Sequence, residues 1–441
     1  MRTDRTIVKT TLLGLVCLAL FASSAQANRR ISLADNLLIE DKDDVYQYPQ
    51  RLLDYRNLIN LDMGNNFRSA RLLFLAGWDD LGLGLSAEQS APYNPMSGPV
   101  VADLLTYETA ALYMGPISPT PLAGSLPSFN PFGITSSAEY FVGAPPFTLI
   151  DAFLAIPAGD GAFGLRLGFG TRGAAGTDES LSSYRQDSGL GENLITLEAG
   201  LSGGPPTGAH FDTSLNIALG LGSGENGQAL PNLVYPTLIS YDFDEISSAL
   251  IRASLSARAY LPYSDNIDLG LLGNIVLSNI SITPSVAGEN EFTMSTTGVG
   301  LMGGAGPVFH INELTEVAGY ALLGLTVVSS DPDDEVDNDS YTDLAVYLPA
   351  VRVAADIGIV QWFFFRIGLQ YSFQYVTTSF ENDDSGRRAD GNLGWTAGIG
   401  FEYEGFTIDG ALNQAWMVQG PDFIGGDAPL FGVVAAGFTW Q

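Results

Sequence analysis

The chain has a single cysteine, Cys17, and two histidines, His210 and His310, in 441 residues. Charged residues are 15% of it, against about 25% in soluble domains. Basic groups are the scarcer sign: 19 Lys and Arg stand against 49 Asp and Glu, a formal net charge of −30. Each shortage excludes something. One cysteine cannot build a disulfide framework. So acidic a chain lacks the basic surface that phosphates require, which excludes nucleic acid as a partner. Beyond the start of the chain no run of 18 apolar residues occurs, so no membrane-spanning helix is expected. What the chain has in quantity is glycine, 51 residues, with a positive mean hydropathy.

The start has its own pattern. Arg2, Arg5 and Lys9 precede an apolar run from Leu12 to Ala22, followed by Ser23-Ser24-Ala25-Gln26-Ala27. A basic region, a short apolar core and an Ala-x-Ala site predict a secretory signal peptide over 1–27, cleaved after Ala27. Small residues do not lead into Cys17, which argues against a lipidation site. Cleavage removes Arg2, Arg5, Lys9 and Asp4, so the net charge of −30 becomes −32. An exported, glycine-rich, apolar chain with neither disulfides nor helical spans points to a closed barrel, because in lipid only helices and closed barrels satisfy every backbone group.

The stretch from Val360 to Tyr375 carries the strongest periodicity. Gln361, Phe363, Phe365, Ile367, Leu369, Tyr371, Phe373 and Tyr375 share one face of a strand, and Arg366, Gly368, Gln370 and Ser372 share the other. The ten-residue step from Phe363 to Phe373 is ~33 Å of strand. Tilted by ~40°, it covers a height of ~25 Å, that of the apolar band of a transmembrane barrel. Similar alternation recurs at Phe163–Phe169, Ile195–Leu201, Phe211–Leu221, Ile251–Ala257, Tyr347–Ile357 and Trp395–Tyr403, always against Gly, Ser and scattered Arg and Asp. Short connections such as Gly159–Gly161, Pro262–Asn266, Gly358–Val360 and Glu404-Gly405 alternate with long ones such as Gly173–Glu192, Ser223–Glu245 and Ser329–Ser340. Short periplasmic turns and long extracellular loops are the expected asymmetry. Thirteen strands follow Pro146; upstream, Asn57–Gly64, Arg71–Trp78 and Leu81–Gln89 are candidates. The expectation is an all-β, closed antiparallel transmembrane barrel of 14–16 strands over 57–441, with 90–145 a long Pro/Gly/Ser-rich loop or insertion. Residues 28–56, rich in acids between Asp35 and Asp44, read as a periplasmic segment, a plug in the barrel mouth or a solvated leader.

The last strand, Leu430–Trp440, ends on Phe438 and Trp440. It resembles the assembly signal of Gram-negative outer-membrane proteins, with Gln441 following the aromatic that normally comes last. The resemblance implies the outer membrane of a Gram-negative bacterium, with lipid, lipopolysaccharide and the barrel-assembly machinery as partners. As a pattern the barrel resembles porins. A plug over 28–56 would be similar to the fatty-acid-transporter type of barrel, whose short Asn-Pro-Ala motif is missing here. Oligomeric state is open.

Motifs for chemistry are few. Three GxGxxG matches, at Gly168, Gly222 and Gly298, fall in strand patterns instead of opening a helix in a βαβ unit, so no dinucleotide is implied. His210, Asp212 and Ser214 share a strand face, but a spacing of two puts successive side chains roughly 6.5–7 Å apart, beyond the ~2.6–3.2 Å that a nucleophile and its base need. They read as polar lumen lining, and the chain as neither an enzyme nor a cofactor binder. The acidic run Asp331, Asp333, Asp334, Asp337, Asp339 lacks the glycine and glutamate of an EF-hand, with Val336 and Thr342 in their places. It reads as a solvated outer loop, with weak Ca²⁺ or Mg²⁺ bridging to lipopolysaccharide as the alternative. The candidates for a lumen or constriction are Arg166, Arg252, Arg258, Asp268, Arg352, Asp356, Arg366 and Gln370. A turn at Gly358–Val360 sets Arg352 opposite Arg366, with Asp356 and Gln370 on the same face, and Tyr260 is expected opposite Asp268. Such charges tune a pore or close a barrel as a salt-bridge network. Three functions are carried forward: a passive pore for small solutes, a plugged transporter for hydrophobic solutes, and a closed scaffold acting through acidic loops.

Overall fold

The structure is a computed structural model that describes residues 29–34, 36–63, 70–78, 81–90, 147–177, 187–205, 208–229, 241–285, 294–332, 341–380, 386–412 and 431–440. Residues 1–28, with the signal peptide expected there, residues 91–146, and Asp333, Asp334, Asp337 and Asp339 lie outside them.

Sixteen strands follow the N-terminal segment. They are β1 (Leu58–Met63), β2 (Ala70–Trp78), β3 (Leu81–Ser90), β4 (Phe147–Ala158), β5 (Gly161–Thr177), β6 (Asp187–Gly203), β7 (His210–Ala229) and β8 (Tyr241–Ser264). The second half comprises β9 (Ile267–Ser285), β10 (Met294–Asn312), β11 (Thr315–Pro332), β12 (Tyr341–Val360), β13 (Phe363–Phe380), β14 (Gly386–Tyr403), β15 (Phe406–Leu412) and β16 (Phe431–Thr439). Each pairs antiparallel with its neighbours in sequence, and β1 also pairs with β16, closing the barrel. Closure leaves no edge of unpaired backbone groups. At the seam the Trp440 N–H donates to the Asn57 carbonyl (3.0 Å), and Trp440 stacks on Phe74 at 5.7 Å. Of the 14–16 strands expected, sixteen are present, three of them upstream of Pro146.

The period-two pattern becomes two surfaces. On β13, Ile367, Leu369 and Tyr371 face outward and are exposed, while Arg366, Gly368 and Gln370 face inward and are buried. The same holds on β7, where Leu215, Ile217 and Leu219 are exposed between the buried Ser214, Asn216 and Ala218. A soluble sandwich would bury its apolar face. Here that face is the exterior.

Two stretches depart from simple alternation. Tyr347, expected on the outer face with Val351, points inward and is buried, because a register shift at Leu348-Pro349-Ala350 moves the pleat to the other face. Proline has no N–H for the ladder and is accommodated at such bulges. The β12–β13 turn is also not at Gly358–Val360. It is Gln361-Trp362, preceded by a shift between Gly358 and Val360. Arg352 therefore pairs with Gln370 and Asp356 with Arg366, in place of two arginines facing each other. The bulge supplies the odd residue that facing alignment demands. Likewise Tyr260 pairs with Gly270, and Asp268 pairs with Pro262 near the turn.

The core lies inside the barrel, between its wall and residues 29–56. This segment forms one helical turn, α1 (Arg29–Ser32), and two short 3-10 helices, Lys42–Tyr46 and Pro49–Leu53. Asp41 caps the first of these, accepting from the Asp43 N–H (3.1 Å) while Asp44 accepts from the Asp41 N–H (3.3 Å). Leu37, Leu38 and Ile39 pack with Tyr260, Leu272, Val308 and Tyr320. Val45, Tyr46 and Leu52 pack with Leu58, Leu73, Leu75 and Phe153. Two wall glycines let the segment's backbone approach. A Cβ at Gly164 would stand 2.6 Å from Gln50 Cα, and one at Gly368 would stand 2.6 Å from the Leu33 carbonyl carbon.

Candidate functional site

The segment reaches the wall around nearly the whole circumference, close to the short turns. Arg71 on β2 meets Asp43, Phe153 on β4 meets Tyr46, and Gly164 on β5 meets Gln50. Asp212 on β7 meets Arg51, Gly270 on β9 meets Leu38, and the Ala318 carbonyl on β11 accepts from Asn36 Nδ2 (3.0 Å). Asp356 on β12 meets Arg29, and Thr396 Oγ1 on β14 donates to the Ser32 carbonyl (2.9 Å).

Arg258 is the centre of this contact. Its side chain is fully buried on β8, where Nε donates to Asp212 Oδ2 (2.8 Å) and Nη1 lies 2.7 Å from Asp44 Oδ2. Nη1 also donates to the Leu37 carbonyl (3.2 Å), and the guanidinium lies over the rings of Tyr48 (4.7 Å) and Tyr260 (5.8 Å). Asp212 in turn accepts from Arg51 Nη2 (2.7 Å) and Gln50 Nε2 (3.2 Å), and Arg51 holds Glu40 at 2.6 Å. A wall acid, a wall base and three charged segment groups, Asp44, Arg51 and Glu40, thus form one network joined by Gln50 and the Leu37 carbonyl. Burying such charges is costly unless every one is paired and hydrogen-bonded.

Three further arginines repeat the scheme. Arg71 donates to Asp62 of β1 (2.9 Å) and Asp43 of the segment (2.7 Å), with Tyr46 at 4.5 Å beneath its guanidinium. Arg166 donates to Asp151 (2.8 Å) and to the Tyr46 carbonyl (2.6 Å), and lies 3.5 Å from Glu198. Arg366 donates to Asp356 (3.2 Å) and to Asp409, and Asp356 also accepts from Arg29 Nε (2.7 Å).

The carboxylates of the segment are held unequally. Burial alone would raise Glu40, but His210, 3.8 Å away, and the charges of Arg258 and Arg51 outweigh it and bring its pKa down to about 2. Burial pushes Asp43 up to about 6, and Arg71 and Lys42 only partly offset it. Asp44 is raised by burial too, against Arg258 and Arg30. Asp41 goes the other way, since Lys42, Arg29 and the Asp43 amide outweigh its burial.

The sequence candidates divide into groups. Arg166, Arg258, Asp356 and Arg366 belong to the segment contact. Arg252, Arg352 and Gln370 also face inward and are buried, but lie farther from the short turns. Asp268 stands apart at the rim, where His310 Nε2 is 3.0 Å away and half-exposed. Asp331 falls in β11, and among the described residues no group of His, Cys, Asp and Glu is placed to hold a metal ion. His210 stacks on Tyr260 (4.6 Å) with Nδ1 2.9 Å from the Gly208 carbonyl, while Asp212 is engaged by arginines. Sequence reasoning did not single out Arg71, Asp62, Asp151, Glu198 or Asp409. Arg71 and Asp62 lie on the inward faces of the first two strands, and that position was their available signal.

No protein-family model and no curated protein matches this chain. Among solved structures, the ferric-catecholate import receptor Fiu from E. coli K12 is similar at 6% identity, with 87% of this chain and 81% of that one covered and a TM-score of 0.35. The FrpB iron transporter from Neisseria meningitidis shows 10% identity over 82% of this chain and 63% of that one, with a TM-score of 0.36. The ferripyoverdine receptor of the outer membrane of Pseudomonas aeruginosa shows 9% identity over 81% and 55%, also with a TM-score of 0.36. These are likenesses of general barrel form. The assignment of this chain as a closed sixteen-stranded antiparallel barrel rests on its own strand pairing.

Proposed function

We propose that this chain is an outer-membrane barrel for the passage of small solutes, and that residues 29–56 close its short-turn mouth in the described state. Passage then requires the segment to move. The apolar exterior supports the membrane location, with lipid and lipopolysaccharide against it. The observation that carries the closed mouth is the contact ring from β2 to β14, centred on Arg258 between wall Asp212 and segment Asp44. Buried ion pairs regain their hydration on release, which suits a seal that must open although apolar clusters around Leu38 and Leu52 also hold the segment.

The test is single-channel recording of the mature chain in planar bilayers, alone and with Gly164→Val and Gly368→Val together. Valine suits a strand, and each new side chain meets the segment's backbone. The unaltered protein should be mostly closed and the double variant should conduct. Steady open steps from the unaltered protein overturn the closed mouth. A folded, membrane-inserted double variant without conductance favours the second reading, a closed scaffold stiffened by the charge network across its lumen.

A further inference from the structure

The wall behind the segment does not balance its own charges. Each of its four arginines holds one wall carboxylate: Arg71 with Asp62, Arg166 with Asp151, Arg258 with Asp212 and Arg366 with Asp356. Two further acids stand in this band without an arginine of their own. Glu198 shares Arg166 at 3.5 Å, and Asp409 shares Arg366. At the mouth Asp268 and Glu316 lie 3.0 and 3.7 Å from His310, two carboxylates against one imidazole. Farther along, the buried charges among the described residues are Arg252, Arg352 and Asp343, one positive charge over, which is fewer than the surplus acids.

The shortage of positive charge shows even with the segment in place. Asp151 is 1% exposed, yet its Oδ2 has no hydrogen-bond partner, and native proteins rarely leave a buried polar atom so. The segment also supplies cations of its own, with Arg51 2.7 Å from Asp212 and Arg29 2.7 Å from Asp356. A tethered guanidinium thus stands where the wall accepts a cation. Asp43 and Asp44 of the segment lie against Arg71 and Arg258, and both arginines keep a wall partner when the segment leaves. Residues 29–56 carry five basic and six acidic side chains, so their movement does not reverse the balance.

We propose that the lumen, once the segment has moved, favours small cationic solutes such as primary amines and disfavours anions. This names the solute class for the passage reading and rests on that reading. Glu198 and Asp409 in the band, with Asp268 and Glu316 at the mouth, set the preference, as rings of side-chain charge do in pores. One net charge ~10 Å from an ion in water changes its local concentration about twofold, and several act together. Salt limits the reach, with a Debye length of ~10 Å at 0.1 M and ~3 Å at 1 M.

Reversal potentials of the conducting Gly164→Val, Gly368→Val protein in planar bilayers test it, under gradients of KCl and then of methylammonium chloride. Near 0.1 M salt the cation should permeate about threefold or more better than chloride, and near 1 M the ratio should fall toward one. Adding Glu198→Gln with Asp409→Asn should lower the ratio about twofold, and each change leaves its arginine one carboxylate. Asp268→Asn with Glu316→Gln should lower it as well. Heat-modifiable migration of every variant shows that its barrel is folded, which separates lost selectivity from lost structure. Conductance with a ratio at or below one, or a ratio that neither pair of substitutions moves, overturns the selectivity and leaves passage standing. No conductance from any of these proteins overturns passage and the selectivity with it.

Discussion

The two halves of the lumen solve the same problem with different chemistry. Near the short turns, Arg71, Arg166, Arg258 and Arg366 each hold a wall carboxylate, and the first three also hold a group of residues 29–56. Beyond the segment, Thr196, Ser278, Tyr320 and Gln370 present buried side-chain oxygens without a hydrogen-bond partner. Full charges sit where another part of the chain can answer them at fixed distance. Beyond the segment, neutral side chains share the inward face with the buried Arg252 and Arg352. The difference teaches that one wall answers the attached segment with ion pairs near the short turns and carries a mixed polar and charged lining beyond it.

The comparison breaks hardest at Arg258. Arg258→Met leaves Asp44 and Asp212 buried without their shared cation, a loss of about 3–5 kcal/mol, to be read as a lower urea midpoint in micelles. Tyr320→Phe, in the other half, deletes a buried hydroxyl without a hydrogen-bond partner and should cost markedly less by the same measure; equal losses would erase the distinction between the halves. A smaller effect is expected of Tyr46→Phe, which removes a buried 2.7 Å hydrogen bond with Ser86 worth about 1 kcal/mol, and which should speed proteolysis of the segment without altering the barrel.

The smallest effect is on pH. Glu40 falls from its ordinary 4.5 to about 2 on docking, so its contribution is present above pH 4.5 and is lost as pH falls through 2. Asp43 rises from 3.8 to about 6, so its contribution is present below pH 3.8 and is lost as pH rises through 6. Protection of the segment from hydrogen exchange, taken relative to the intrinsic rate at each pH, should therefore rise between pH 7 and pH 5 and fall in strong acid. Asp43→Asn should flatten the first limb and Glu40→Gln the second; an unchanged profile in both would show that other groups govern docking.

How much was legible follows from range. Alternation on β13 or β7 is a property of consecutive residues, so strand positions and most inward faces could be read directly, with Tyr347 the exception because the bulge after it moves the pleat. Register could not. The pairing of Asp356 with Arg366 depends on where a two-residue turn and a one-residue bulge fall near Ile359, and apolar periodicity looks the same for either choice. Glycine was read for its face but not its use: Gly164 and Gly368 look like lining for an aqueous lumen, and are seats for Gln50 and Leu33.

The sequence by itself determined a set of 14–16 alternating strands, an apolar exterior and a polar, glycine-rich interior, because each follows from the two-residue repeat and local turn chemistry. Only the tertiary structure decided what fills that interior. Arg258 meets Leu37 across 221 positions and Arg29 meets Asp356 across 327, separations over which no local pattern carries information. Closing the barrel brings those residues into the one space where their charges must be paired.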